Sequence, residues 1–167
     1  MKVHAARSTL NAINPDVAII GVHKRLEDFS AVAAADVVLD CSDNFATRHA
    51  LNRACVRHSK PLVSGAAIRF DGQLMVFDLR KPQSPCYACL FPEDAQVEEV
   101  QCSTMGVFAP LTGVIGAMQA MEAIKLVACV GEPGSLQILD AKSAEWRSVR
   151  VKKDPGCTVC GKNQLAG

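Results

Sequence analysis

A chain of 167 residues with 49% hydrophobic content can bury one substantial core and hardly two. Its net charge of +1, with no basic block beyond Lys152-Lys153, excludes a nucleic-acid footprint and a polybasic membrane patch. No run reaches the ~18 apolar residues of a membrane span, and the opening MKVHAARSTLNAINPD lacks the continuous apolar stretch of a signal peptide, so a cytoplasmic protein is expected.

Residues 2–13 place Val3, Ala6, Leu10 and Ile13 at helical spacing, and Asn14-Pro15 ends the pattern because proline disfavours helix before it. Residues 17–22 form a short apolar, β-branched run that reads as a strand; 26–35 suit a brief helix, and 37–41 a second strand. Residues 44–58 set Leu51, Ala54, Cys55 and His58 on one helical stripe, with Ser42 or Asp43 available as the cap. Residues 61–67 are the next strand. Strand alternating with helix is the grammar of parallel βαβ units.

The pattern changes after Ala67. Residues 68–77 hold Asp71-Gly72 between apolar runs, a strong short hairpin signal, so the sheet becomes antiparallel. Residues 92–100, with four acidic side chains, read as a surface loop. Residues 110–130 are the most apolar segment, yet they carry Gln119, Glu122 and Lys125. With Gly113, Gly116, Ala117, Ala120 and Ala123 suited to close packing, they read as a buried helix. Two further strands, 136–140 and 146–151, follow around a polar turn. The expected fold is α/β: a Rossmann-like doubly wound sheet with a truncated first half, continuing into an antiparallel part, in a single domain over 1–167.

Eight cysteines are many for such a chain, and four fall as Cys86-x-x-Cys89 and Cys157-x-x-Cys160. Two residues between thiolates let both sulfurs of a tight turn reach one ion, and two such turns complete the tetrahedral sulfur shell that zinc prefers. Gly156 and Gly161 fit such turns. The pairs lie far apart in the chain, so the ion would be a structural staple; reduced thiols or a redox CxxC is the alternative. Cys102, between the acidic loop and the apolar helix, is either a nucleophile or a small buried hydrophobe. Cys41, Cys55 and Cys129 lie in a strand and two helices, where core packing is expected. His4, His23, His49 and His58 show no ligand spacing and read as surface or satisfied core residues. Asp43-Asn44 stand just past a strand's carboxyl end, where open α/β sheets bind ligands; Asp43 could hold a nucleotide there or only cap the helix.

Several segments together resemble one family over nearly the whole chain, the MoeB/ThiF/HesA adenylyltransferases, relatives of the ubiquitin-activating enzymes. KVHAARSTLNAINP is similar to the family's helix after the nucleotide loop, LDCSDNFATRHALNRAC to its L-D-C-[ST]-D-N-x-x-x-R-x-x-[LI]-N motif, and PLVSGAAIRFDGQLMVF to its next strand and hairpin. CYAC and GCTVCG resemble its zinc cysteines, and MGVFAPLTGVIG its apolar helix.

The resemblance implies ATP-dependent adenylylation of the C-terminal glycine of a small ubiquitin-like sulfur carrier, assisted by magnesium, in a homodimer. It assigns Lys2 to ATP phosphate charge, Asp43 to magnesium and phosphates with Asn44 beside it, and Cys102 to a covalent link during transfer. The stretches 64–69 and 109–111 look closer to the MoeB branch and its MoaD-type carrier than to the ThiS branch of thiazole synthesis. The family's Gly-x-Gly-Gly-x-Gly loop, its ribose-binding acidic residue and its arginine finger precede the position of Lys2 and do not occur in residues 1–167. The chain therefore reads as the carboxyl-terminal portion of such an enzyme, inactive by itself. A non-catalytic zinc-stabilised module that binds the carrier or a partner subunit is the other reading.

Overall fold

The computed structural model describes residues 2–23, 29–94, 105–130 and 134–161. Its elements are α1 (Lys2–Ile13), α2 (Ser30–Ala34), β1 (Val38–Asp40), α3 (Phe45–Arg57), β2 (Leu62–Ile68), β3 (Asp71–Phe77), α4 (Tyr87–Leu90), α5 (Ala109–Val127), β4 (Ser135–Asp140) and β5 (Glu145–Arg150). The strands form one sheet in sequence order. β1 and β2 are parallel, joined by the crossover helix α3, and β2 through β5 run antiparallel. The expected change from parallel to antiparallel pairing falls after β2.

The inner strands are covered on both faces because their side chains alternate, whereas β5 is exposed along its length. On β2, Leu62 points to the α3 side, where Leu51, Cys55, Met75, Phe77 and Tyr87 pack with it. Val63 points to the other side with Leu74, Val76 and Leu126 of α5. Leu111 and Ile115 extend that second layer over Leu139 of β4. None of the helices among the described residues is long and apolar enough to cross a membrane.

Several sequence expectations are corrected. Residues 17–22 form no strand: they join no ladder in the sheet, and Val17, Ile20 and Val22 are exposed. β-branched composition alone does not make a strand without a partner edge. Of the expected helix 26–35, residues 30–34 are helical and 26–28 lie outside the described residues. The hairpin is present, but Arg69-Phe70 make its turn, Arg69 with φ +49°, because Ile68 pairs with Asp71. Arg69 is held from outside the hairpin: its N–H donates to the Gly106 carbonyl at 3.0 Å, and its own carbonyl accepts from the Phe108 N–H at 2.7 Å. Gly72 serves packing instead, since a Cβ there would sit 2.8 Å from Ile115 Cδ1.

α5 is not buried all round. Leu111, Ile115, Gln119 and Leu126 face the sheet, whereas Val114, Met121, Ile124 and Val127 are exposed, and Gly113 and Gly116 face open space. Its high apolar content reflects two different faces, only one of which the described residues cover.

Candidate functional site

A cleft of about 610 Å³ opens at the carboxyl ends of β1 and β2. Cys41, Ser42 and Asp43 follow β1 into it, and residues 64–68 of β2 form its floor. Lys2 of α1 and Thr112, Ile115, Gly116 and Gln119 of α5 complete the walls near these residues. Phe45, Tyr87, Leu90 and Phe91 make its other end apolar and aromatic. Lys2 and Asp43, far apart in the sequence, thus line one cavity.

Asn44, rather than Ser42 or Asp43, caps α3: its Oδ1 accepts the Thr47 N–H at 2.8 Å. Its amide also donates to Asp43 Oδ1 at 3.4 Å. Because Asn44 takes the cap, the exposed Asp43 carboxylate keeps its remaining acceptor capacity toward the cleft.

The floor rests on a buried polar network. Strand register sets Asp40 beside Ser64. Asp40 Oδ1 accepts from the Ser42 backbone N–H at 2.9 Å and hydroxyl at 2.6 Å, and Oδ2 accepts from the Ser64 hydroxyl at 3.0 Å. Arg48 of α3 lies 3.3 Å from that carboxylate and donates to Ser64 Oγ and to the carbonyls of Gly65 and Ser42. From the opposite layer, Gln119 Nε2 donates to the Asp40 carbonyl at 2.8 Å and to that of Val63 at 3.2 Å. Gly65 is required for this approach, because a Cβ there would lie 2.4 Å from Gln119 Cδ. Strand end, helix and floor are therefore one rigid unit, as a buried, fully hydrogen-bonded network demands.

Sequence reasoning did not single out Asp40, Arg48 or Gln119 as site residues. The available signals were an aspartate closing an apolar strand, an arginine one turn into the next helix, and a glutamine inside the most apolar helix.

The four paired cysteines converge. Their sulfurs all lie within 4.8 Å of one another, with Cys86–Cys157 at 3.7 Å, Cys89–Cys160 at 3.4 Å and Cys86–Cys89 at 4.0 Å. A tetrahedral sulfur shell with metal–sulfur bonds of about 2.3 Å has edges of about 3.8 Å, so the set fits one metal ion. The hydrogen bond with Cys86 draws the Cys89 thiol down to about 5, whereas that bond and burial push Cys86 up, and burial pushes Cys160 up to about 12. Four thiolates so close would repel strongly, and a divalent cation is the natural counter-charge.

The other cysteines divide. Cys55 is core, as expected, and burial pushes its thiol up to about 12. Cys41 and Cys129 are exposed, contrary to expectation. Cys41 lines the cleft, its residue open to solvent but its sulfur partly enclosed beside Gln119, and that local desolvation and then the Asp40 charge raise its thiol. Cys102 lies outside the described residues. His49 is not satisfied as a core histidine should be: its buried Nδ1 has no hydrogen-bond partner and lies 3.7 Å from Glu93. Burial keeps its ring below the usual range, and Arg53 adds to this against the opposing pull of Glu93.

The sequence pattern of the ThiF family matches residues 1–159. The chain belongs to the ThiF family. This ThiF-family chain is 45% identical over 165 residues to a sulfur carrier protein ThiS adenylyltransferase of Escherichia coli, covering 96% of itself and 64% of that protein. It is 46% identical over 168 residues to a molybdopterin-synthase adenylyltransferase of the same organism, covering 96% of itself and 66% of that protein. It thus spans slightly under two thirds of these curated relatives. Among solved structures, Escherichia coli MccB superimposes with a TM-score of 0.78 at 18% identity, over 100% of this chain and 51% of that one. The MccB structure with ATP gives 0.75 at 18% identity, over 96% of this chain and 51% of that one. These two likenesses show that the ThiF-family fold is shared.

Proposed function

We propose that this chain carries part of an ATP-dependent adenylyltransferase acting on the C-terminal glycine of a ubiquitin-like sulfur-carrier protein. The observation that supports this best is the meeting of Lys2 and Asp43 on one cleft at the carboxyl end of a parallel strand. A cation there offsets phosphate charge, and a carboxylate offers a ligand for magnesium, which would screen the phosphates and orient them. Asn44 fixes the start of α3 and hence Asp43, and Arg48 holds Asp43's backbone neighbour Ser42 by its carbonyl. In the reaction, the carrier's terminal carboxylate oxygen bonds to the α-phosphorus as the bond to pyrophosphate breaks, giving an acyl-adenylate. Cys102 is proposed to act after this step, in transfer.

The four-cysteine cluster is proposed to hold structural zinc. The protein is proposed to work in the cytoplasm and to self-associate as a homodimer; a stable compact monomer in sedimentation at micromolar concentration would argue against the dimer. A MoaD-type carrier in molybdopterin synthesis is preferred, on the stretches 64–69 and 109–111, of which residues 64–68 line the cleft. A ThiS-type carrier is the second reading, since 45% and 46% identity to the two kinds of relative favour neither.

The test is exchange of labelled pyrophosphate into ATP with MoaD-type and ThiS-type carriers. It is run on residues 1–167 and on a chain extended N-terminally by the glycine-rich loop of a ThiF-family relative. A backbone donor accounts for about 10²-fold and an arginine finger for about 10³-fold or more in related phosphoryl chemistry, so exchange is expected from the extended chain alone. Asp43→Ala in the extended chain should lower exchange at least about 10²-fold, while Cys102→Ala leaves it intact. Exchange by residues 1–167 within tenfold of the extended chain would overturn the account of a partial site.

A further inference from the structure

The cysteine cluster and the cleft are fastened to the same helix, and one side chain makes the connection. Asn52 of α3 is fully buried. Its Oδ1 accepts the Tyr87 backbone N–H at 2.9 Å, and its Nδ2 donates to Cys86 Sγ at 3.6 Å, a normal length for a sulfur acceptor. Both ends of the amide are thus committed to the first CxxC turn, one of them to a ligand sulfur itself. One turn earlier on the same helix, Arg48 grips Asp40, Ser64 and the Gly65 carbonyl beneath the cleft. Positions 44, 48 and 52 recur at intervals of four, so cap, cleft anchor and cluster anchor share one face of α3.

A bland core role does not account for this arrangement. A hydrophobic residue of similar size would fill the space between α3 and α4 without the cost of burying an amide, but it would leave the Tyr87 N–H without a partner and strip the Cys86 sulfur of its amide donor, leaving it the Cys89 backbone N–H within its own turn.

Resting on the zinc reading above, we propose that Asn52 is a positioning residue of the metal centre: its N–H steadies the Cys86 thiolate toward the ion, and its place on α3 makes metal occupancy and the order of the cleft floor one cooperative property. Groups that hydrogen-bond metal ligands fix the ligand's orientation and charge, and their loss usually weakens metal binding 10- to 100-fold. Here the same amide joins α3 to the first CxxC segment one turn from Arg48.

The experiment uses the full chain. Zinc affinity is measured by competition with a chromophoric chelator for the parent, Asn52→Asp and Asn52→Ser. Asn52→Asp keeps an acceptor for Tyr87 but turns a carboxylate oxygen on the sulfur; Asn52→Ser is neutral and too short to reach both partners. Both are expected to bind zinc about 10- to 100-fold more weakly. In the cobalt-substituted protein, the sulfur-to-metal charge-transfer band should move to lower energy as the thiolate loses its amide donor. Hydrogen exchange on the parent, which needs no variant, should show amides of residues 48–55 losing protection when metal is removed. Zinc affinity within threefold of the parent in both variants, with an unchanged cobalt spectrum, would overturn the role of Asn52. Loss of protection confined to residues 86–90 and 157–161 would overturn the coupling to the cleft. A parent that binds no zinc would sink the zinc reading itself, a result distinct from either.

Discussion

Arg48 and Asp40 show how much of this site depends on individual charges out of water. Asp40 is 2% exposed and Arg48 8%, and the pair is completed by Ser42, Ser64 and Gly65. Replacing one member of such a pair strands the other: Arg48→Met should cost about 3–5 kcal/mol in urea denaturation, and adding Asp40→Asn should recover part of the loss. Asp78 is a contrasting case. Burial raises its carboxyl, but the Arg80 guanidinium, at 2.7 and 3.1 Å, and Lys81 outweigh this and hold it below the ordinary 3.8. A depressed folded value means that the stabilisation is fully present above the unfolded value and is lost as pH falls through the folded one. Asp78→Asn should therefore be less stable than the parent near neutral pH, with the gap narrowing below about pH 4 and closing in stronger acid. Because Arg80 and Lys81 are largely exposed, the difference should stay near or below about 1 kcal/mol; a gap independent of pH would contradict the assignment.

Helix α5 has two energetic faces. Leu111, 1% exposed, packs beside Ile115 against Gly72 and Leu139 of the sheet, so Leu111→Ala should cost about 2–5 kcal/mol. Ile124, 69% exposed on the opposite face, should tolerate alanine within about 0.5 kcal/mol in the isolated chain. Equal losses at the two positions would mean that the outer face is covered in solution. This two-faced character was hidden in the sequence, because an apolar helix packed on one layer and one packed on two have the same composition. Likewise, the run 17–22 has strand composition but no edge to pair with, and the Asp71-Gly72 pair has turn composition but sits inside β3, where the missing Cβ admits α5.

Over the whole molecule, the cysteine cluster brings residues 157–160, past β5, to α4 and its N-cap, which lean on α3. One zinc per chain is expected by mass spectrometry on protein purified without chelator, and the ion should leave progressively on acidification as the thiolates protonate. Cys157→Ser should lower both metal content and thermal stability; less than half an equivalent of zinc in the parent, with no stability loss in the variant, would contradict the staple. Sequence by itself determined the change from parallel to antiparallel pairing, the CxxC pairs and the family, because each is written in short-range chemistry: β-branched runs, turn spacing and contiguous motifs. Only the tertiary structure decided that Asn44 rather than Asp43 caps α3, that Cys41 is exposed, and that Asp40, Arg48 and Gln119 converge under the cleft. These facts depend on which strand lies beside which and how closely two helices approach the sheet, distances between residues up to 79 apart in the chain that no local pattern encodes.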